Sequence, residues 1–385
     1  MRFLVIGAGK QGSACAYDLL RQPGTMRVIL ADRDVEHLPS FLDRWRDGEA
    51  GALELLRLDL TDVKAVEAAI ARVDGVLSAA PYYFNGDLAR LAVQAGRPFA
   101  DLGGNTDIVF EQKKLDGEAR KQRITVVPDC GVAPGMVNIL AAEGIRRLDE
   151  TDSVKIFVGG LPQHPEPPLN YMVVYSLEGA FDYYTSPSWV LRGGKRTQVE
   201  PLSEIEHVVF PDPVGTLEAF HTGGGMSTLP FTYEGKVRTM EYKTLRYPGH
   251  VAIMKPIREL GLLATEPVRV NGAEVRPRDA FIAIVSPKLT RPRGRDLIAL
   301  LVEVKGTKGG KPARTRWQMV DRYDEQNGVT SMMRTTGYSL AITGLMQLDG
   351  RIAGAGVRTP DECVPALPYV EELAKRGIVI EETRV

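Results

Sequence analysis

The sequence predicts an α/β chain. Its first third reads as a doubly wound parallel sheet, and the rest as an α+β region on a mainly antiparallel or mixed sheet. Three observations predict this. An apolar run at residues 3–6 leads directly into Gly7-Ala8-Gly9-Lys10-Gln11-Gly12 and a helical stretch. Apolar runs and helical patterns then alternate up to residue 127. Past Gly135 the chain changes to strand-like runs separated by turn residues. Alternating strands and helices call for a parallel sheet with both faces covered, whereas strands linked by tight turns pair antiparallel.

The opening elements are a strand at residues 3–6, a helix at 14–20 and a strand at 28–31 that ends in Asp32. Strand, Gly-x-Gly-x-x-Gly, helix, strand and acid, in that order, form the Rossmann nucleotide-binding unit. Gly7 permits the tight turn, Gly9 lets the backbone approach a pyrophosphate, and Gly12 lets helix and strand pack closely. Lys10 and Gln11 open the helix, whose free N–H groups and positive dipole end suit an anion. Asp32 can accept hydrogen bonds from ribose hydroxyls and repels a 2′-phosphate, so NAD is expected over NADP. Arg33, next to it, is the residue that would hold such a phosphate.

A third strand at 53–58 ends at Asp59, a position near the adenine. A helix at 63–72 and a strand at 75–80 follow, the strand running through Ala79 and Ala80 into Pro81. A helix at 85–94, a strand at 98–100 leading to Asp101, and a strand at 124–127 stopped by Pro128 complete the alternation. Ligands of such sheets bind at the carboxyl ends of the strands. That rule gathers Asp32, Asp59, Pro81, Tyr82, Tyr83, Asp101, Asp129 and Cys130 around one crevice. Tyr82 and Tyr83 follow Pro81, where a nicotinamide ribose would lie. Asp101 is a candidate proton acceptor or ammonium partner; the competing role is capping the next helix. Cys130 has no base beside it, which points to contact with nicotinamide or substrate rather than to a nucleophile.

The second region opens with a connecting helix at 136–148. Strands are expected at 154–158, 208–210, 268–270, 297–304, 315–323 and 329–333, with turns at Asn271-Gly272 and in the 305–311 loop. Its polar residues cluster in His221-Thr222-Gly223-Gly224-Gly225 and Arg246-Tyr247-Pro248-Gly249-His250. An arginine grips a carboxylate with two parallel hydrogen bonds, so Arg246 is a candidate reader of a substrate carboxylate, with His221, Thr222 and Glu178 as further candidates. The plainer alternatives are an arginine paired with a surface acid and histidines that only pack. Helices at 335–348 and 369–375 are expected to return to the nucleotide-binding part. The domains are therefore 1–134 completed by 335–385, and 135–334. An antiparallel sheet with one face free suits pairing with a second copy, so a homodimer is expected.

Composition excludes other classes. A formal net charge of -1 over 385 residues gives no electrostatic basis for binding nucleic acid or an anionic membrane. No apolar stretch approaches the roughly 20 residues of a membrane span. The three cysteines are scattered, and no histidine–carboxylate spacing suggests a metal. With a strand expected from Arg2, no signal peptide is expected, and the cytoplasm is the expected compartment.

Seven stretches carry a family resemblance: Val5-Ile6-Gly7-Ala8-Gly9, residues 128–140 (PDCGVAPGMVNIL), Gly159-Gly160-Leu161-Pro162, Pro165-Glu166-Pro167-Pro168-Leu169, Tyr175-Ser176-Leu177-Glu178-Gly179, residues 219–225 (AFHTGGG) and residues 241–249 (EYKTLRYPG). In them the chain resembles the saccharopine dehydrogenase-like superfamily, and within it the L-lysine 6-dehydrogenase branch. Saccharopine-forming members carry an aspartate inside the Gly-x-Asp-Pro-Gly turn and an Asp-His after it. Here Ala133 and Val137-Asn138 stand in those places. The resemblance implies NAD-dependent oxidation of the 6-amine of L-lysine to the semialdehyde, which cyclises, with ammonia released. It implies a base among Asp101, Tyr82 and Tyr83, and Arg246, His221 and Thr222 at the α-carboxylate. The alternatives are an imine reductase of the saccharopine or carboxynorspermidine type and a nicotinamide-binding sensor without catalysis.

Overall fold

The computed structural model describes residues 1–46 and 52–385. Six parallel strands, β1 (Arg2–Ile6), β2 (Arg27–Asp32), β3 (Leu53–Arg57), β4 (Gly75–Ser78), β5 (Phe99–Asp101) and β6 (Thr125–Val127), lie in the order β6-β5-β4-β1-β2-β3. Gly356–Val357 adds a seventh strand beside β6. Phe3, Leu4, Val5 and Ile6 are all buried, as a strand covered on both faces requires. The chain winds outward from β1 to β3 and then returns to β4 on the other side of β1. Gly7 and Ala79 therefore meet at the point where the winding reverses, the place where such sheets open a crevice.

The second sheet has nine strands built around β7 (Glu150–Pro162). Val237–Arg246 pairs with β7 in parallel on one side, and Asp296–Lys308 pairs with it antiparallel on the other. Pairing on both sides explains why β7 runs for 13 residues, well past the expected 154–158. The expected strand at 268–270 exists but pairs only with Ala273–Val275, in a small sheet of its own.

Two expectations are corrected. The strand expected at 329–333 is absent, because a helix, Ser331–Leu348, starts there. Thr330 Oγ1 accepts from the Met333 N–H at 3.1 Å, and Asp296 accepts from the Ser331 and Met332 N–H groups at 2.7 and 2.8 Å. Those caps outweigh the apolar look of Val329, Met332 and Met333. The C-terminal segment does not belong to the first sheet alone. Ser331–Leu348 packs on Lys10–Leu20 and Gly356–Val357 joins β6, but Glu381–Arg384 pairs with Lys311–Arg322 in the second sheet. Several elements gave no sequence signal. Among them are the strands Thr216–His221 and Val237–Arg246 and the helices Leu177–Thr185 and His250–Glu259. Val237–Arg246 carries Arg, Thr, Glu and Lys on a buried strand, so its apolar alternation is hidden.

Candidate active site

A cavity of ≈ 410 Å³ lies at the reversal point of the first sheet. Gly7, Gly9, Asp32, Arg33, Asp59, Ala79, Ala80, Pro81 and Tyr83 all line it. Its fit to a dinucleotide can be read from the backbone. Gly7 has φ +96°, and a side chain there would press on Ala79 O at 2.8 Å. A Cβ on Gly12 would stand 1.7 Å from Gly7 O, so only glycine lets the helix start this close to β1. The space beside Gly9 is open, with no heavy atom within 4 Å of a Cβ position. That leaves room for phosphates before the helix N-terminus. Asp32 Oδ2 accepts from the Ala8 N–H at 2.7 Å, which fixes the carboxylate at the end of β2. Asp59 accepts from Thr61 N and Oγ1 at 2.9 and 2.8 Å, bonds that hold its carboxyl below the usual range.

Not every residue expected at the nucleotide lines this cavity. Lys10 and Gln11 do not line the cavity; Lys10 points into solvent. Cys130 is buried, and its thiol donates to Val127 O at 3.1 Å. Burial raises its pKa well above the usual thiol value, and the negative charge of Asp101 raises it further. Tyr82 and Tyr83 sit on a short 3₁₀ turn, 37% and 61% exposed, with their rings edge to face.

Asp101 is completely buried and its oxygens are taken. Oδ1 accepts from Gly103 N at 2.7 Å and Asp129 N at 3.3 Å, and Oδ2 from Gln112 Nε2 at 2.6 Å. Burial raises its pKa to about 6 against the pull of those three donors. In this arrangement Asp101 ties the exit of β5 to the exit of β6.

The second region holds a further polar cluster, which Tyr183 links to the nucleotide side, since it faces Tyr242 as well as Asp129 and Tyr82. Tyr242, Thr244 and Arg246 alternate on Val237–Arg246 and share one face of the sheet. Thr222 joins that face, its Oγ1 lying 2.8 Å from Thr244 Oγ1. Arg246 is 2% exposed, yet no carboxylate lies within ion-pair distance of it among the described residues. Its Nη1 donates to Leu245 O at 2.8 Å, and its Nε has no partner. The Tyr171 ring packs on the guanidinium at 4.8 Å, with Tyr175 and Tyr184 close by. Glu218, opposite Arg246 in the strand register, is turned away. It accepts from the Gly249 and Val251 N–H groups at 3.0 and 2.6 Å and so caps the helix His250–Glu259. An unpaired buried guanidinium costs several kcal/mol, and an anionic ligand removes that cost.

His221, Glu178 and His250 do not belong to this group of side chains in the same way. His221 is buried on the opposite face of the sheet, with Nε2 3.1 Å from Glu204 and Nδ1 3.1 Å from Tyr242 O. Glu204, His221 and Glu241 have the spacing of metal ligands, but protein cations already neutralise the acids: Arg192 bonds both at 2.8 Å and Lys155 bonds Glu241 at 3.3 Å. Glu178 is exposed in the first turn of Leu177–Thr185, where its charge favours the helix N-terminus. His250 uses both ring nitrogens, toward Tyr184 Oη at 3.0 Å and Leu169 O at 3.2 Å. Burial and then Arg246 lower its pKa to about 3, so it is neutral and orients Tyr184.

Sequence reasoning missed the phenols around Arg246. The available signal was density, because Tyr171, Tyr175, Tyr183 and Tyr184 fall within 14 residues of a chain with 13 tyrosines. It placed Asp129 at the crevice by its strand end but gave it no role; its carboxylate is buried with neither oxygen bonded.

Comparison with known proteins places this architecture. Residues 3–127 match the family model described as the saccharopine dehydrogenase NADP binding domain, and residues 131–378 match the saccharopine dehydrogenase C-terminal domain. The L-glutamate-forming, NADP(+) saccharopine dehydrogenase of Saccharomyces cerevisiae is 24% identical over 86% of this chain and 89% of its own length. The mitochondrial alpha-aminoadipic semialdehyde synthase of Mus musculus is 22% identical over 82% of this chain and 41% of its own. Among solved structures, the apo saccharopine dehydrogenase (L-Glu forming) from S. cerevisiae superimposes with a TM-score of 0.81 at 21% identity, covering 100% of this chain and 99% of that one. The homospermidine synthase of Legionella pneumophila, solved in complex with NAD, has a TM-score of 0.69 at 11% identity, covering 100% and 91%.

Proposed function

The chain belongs to the saccharopine dehydrogenase family, and from that premise we propose that it is a pyridine-nucleotide-linked dehydrogenase acting on the C6–N bond of a lysine-derived amino acid. The observation that carries this is Arg246: a buried guanidinium with no acid, in a family whose nucleotide crevice this chain retains. An amino-acid carboxylate is the anion that suits it. Bound in the crevice, oxidised nicotinamide supplies a two-electron acceptor. The protein's own residues bind the carboxylate at Arg246 and Thr222, keep water from the charged end with a phenol wall, and take a proton from the nitrogen. Only an amine that has lost its proton can be oxidised to the imine, which water then opens.

The relatives' names favour saccharopine, a lysine whose 6-nitrogen carries a glutarate arm, as substrate, with L-glutamate leaving. A second reading keeps the same bond and lets ammonia leave: oxidation of free L-lysine. Arg246 favours it, because one unpaired guanidinium matches the single carboxylate of lysine better than the three of saccharopine. Ala133, in place of the acid expected from saccharopine-forming members, points the same way. For the nucleotide, Asp32 on the cavity wall supports NAD, while Arg33 and the NADP in the relatives' names support NADP. The test is reduced-nucleotide formation with saccharopine and with L-lysine, each with NAD and with NADP. Turnover of either amine supports the proposal and chooses the leaving group. Silence with both removes it.

A further inference from the structure

We propose that Asp129 is the catalytic proton acceptor of this amine oxidation, an inference that rests on the function proposed above and names its base. Asp129 follows β6 at the carboxyl edge of the parallel sheet, where ligands of such folds bind. It is 1% exposed, and neither carboxylate oxygen makes a hydrogen bond of normal length and angle, although the Ser227 hydroxyl and the Gly104 N–H face it. A carboxylate is not buried bare without cost, since its missing partners leave the full desolvation penalty in place. The surroundings are polar. Ser227 and Thr228, both buried, also have hydroxyls without partners.

The backbone around Asp129 is shaped to hold it there. Its φ is +64°, a left-handed conformation that asparagine and aspartate tolerate better than most residues. Gly103 makes room for it: a Cβ on Gly103 would stand 1.8 Å from Oδ1. Asp101, one of the three residues expected as base beside Tyr82 and Tyr83, accepts from the Asp129 N–H and so positions the neighbouring acid. Gly104 lies between this acid and Tyr82, since a Cβ placed on it would stand 3.6 Å from Tyr82 Cβ.

The groups facing Asp129 come from every element packed around it. Asp101 lies at the end of β5, Asp361 in the C-terminal segment, Tyr183 on the helix Leu177–Thr185, and Ser227 and Gly104 in loops. None is a cation, and among the described residues no lysine or arginine pairs with it. Burial is the largest influence on its proton affinity and raises the pKa to about 8, with Asp101 and Asp361 adding to the rise and Ser227 opposing it. A base poised there is well matched to an amine. The transfer breaks one N–H bond of the substrate ammonium and forms one O–H bond on Asp129, leaving the nitrogen lone pair free. The two electrons of the later oxidation pass to the oxidised pyridine nucleotide.

The test is Asp129→Asn, which keeps the volume and suits the left-handed backbone. With whichever amine the native enzyme oxidises, kcat should fall by about 10²–10⁴-fold while the nucleotide Kd stays unchanged. The native kcat/KM should rise with pH to a plateau, with an apparent pKa near the Asp129 value of about 8. That rising limb should vanish in the variant. Ser227→Ala keeps the acid and removes a group that lowers its pKa, so it should move the limb to higher pH. A variant Asp129→Asn with native kcat and an intact limb, or an unmoved limb in Ser227→Ala, overturns the assignment while the function stands. A native enzyme that oxidises neither amine overturns both.

Discussion

The two halves of the candidate site are built in opposite ways. The nucleotide crevice is made mostly of backbone: Gly7, Gly9 and Gly12 shape it, and the carboxylate of Asp32 closes one end. The substrate end is made of side chains from elements far apart in sequence. Arg246 ends one strand, Tyr171 lies in a loop, Tyr184 on a helix, and Asp129 follows a strand of the other sheet. A backbone device depends on local order and tolerates little change at its glycines. A convergent side-chain device depends on the whole fold, and its charged members are held at a cost in stability. Function and stability should therefore separate at the substrate end and stay together in the crevice.

The crevice should give the largest effect. Gly12→Val would drive its side chain into Gly7 O, a backbone atom that cannot move aside. Nucleotide affinity should fall by at least about a thousandfold, about 4 kcal/mol, with a lowered Tm, read by calorimetric titration and thermal melting. Native-like affinity would show that the helix is not fixed against β1.

Arg246→Met probes the other side of the comparison. Removing the carboxylate reader should lower kcat/KM about a hundredfold or more through KM, with an unchanged nucleotide Kd. Because the guanidinium is unpaired and buried, Tm should hold or rise by a few degrees. A fall in both activity and Tm would mean that Arg246 is a structural residue.

Asp32→Asn keeps the hydrogen-bonding shape and removes the charge. The ratio of kcat/KM with NADP to that with NAD should rise about tenfold, as the repulsion of a 2′-phosphate disappears. An unmoved ratio would place the selectivity in Arg33 or elsewhere.

The bare acid also makes stability depend on pH. Asp129 binds its proton more tightly folded, with a pKa of about 8, than unfolded, near 3.8. Between those values the native state holds a proton that the unfolded chain has released. Stability from this group is therefore complete below the unfolded value and is lost as pH rises through the folded one. Tm should decline from mildly acidic to mildly alkaline pH, and Asp129→Asn should flatten that decline. The smallest effect belongs to Cys130→Ala. Its thiol is buried against Val127 O, so turnover should stay within about threefold, and alkylating agents should act on the native enzyme slowly.

The same contrast explains what could be read in advance. The crevice was legible because each of its parts is local: glycines at fixed spacing, an apolar strand before them and an acid after the next strand. Asp32, Asp59, Ala79, Ala80 and Pro81 follow from strand ends alone. Arg246 and Thr222 were visible as polar residues among turns, but their shared face was not, because the strand that places Arg246 is too polar to show its alternation. His221, one residue before Thr222, is turned to the opposite face by the same period of two. Asp101 and Asp129 illustrate a further limit. Both are acids at strand ends, and only their hydrogen bonds tell the one that is satisfied from the one that is bare.

The most direct measurement is a crystal structure with reduced nucleotide and L-lysine or saccharopine bound together. The nucleotide pyrophosphate should lie over Gly9, a substrate carboxylate should hydrogen-bond to Arg246, and the 6-nitrogen should turn toward Asp129. A substrate bound with Arg246 still bare, or with its nitrogen facing away from the exit of β6, would contradict it.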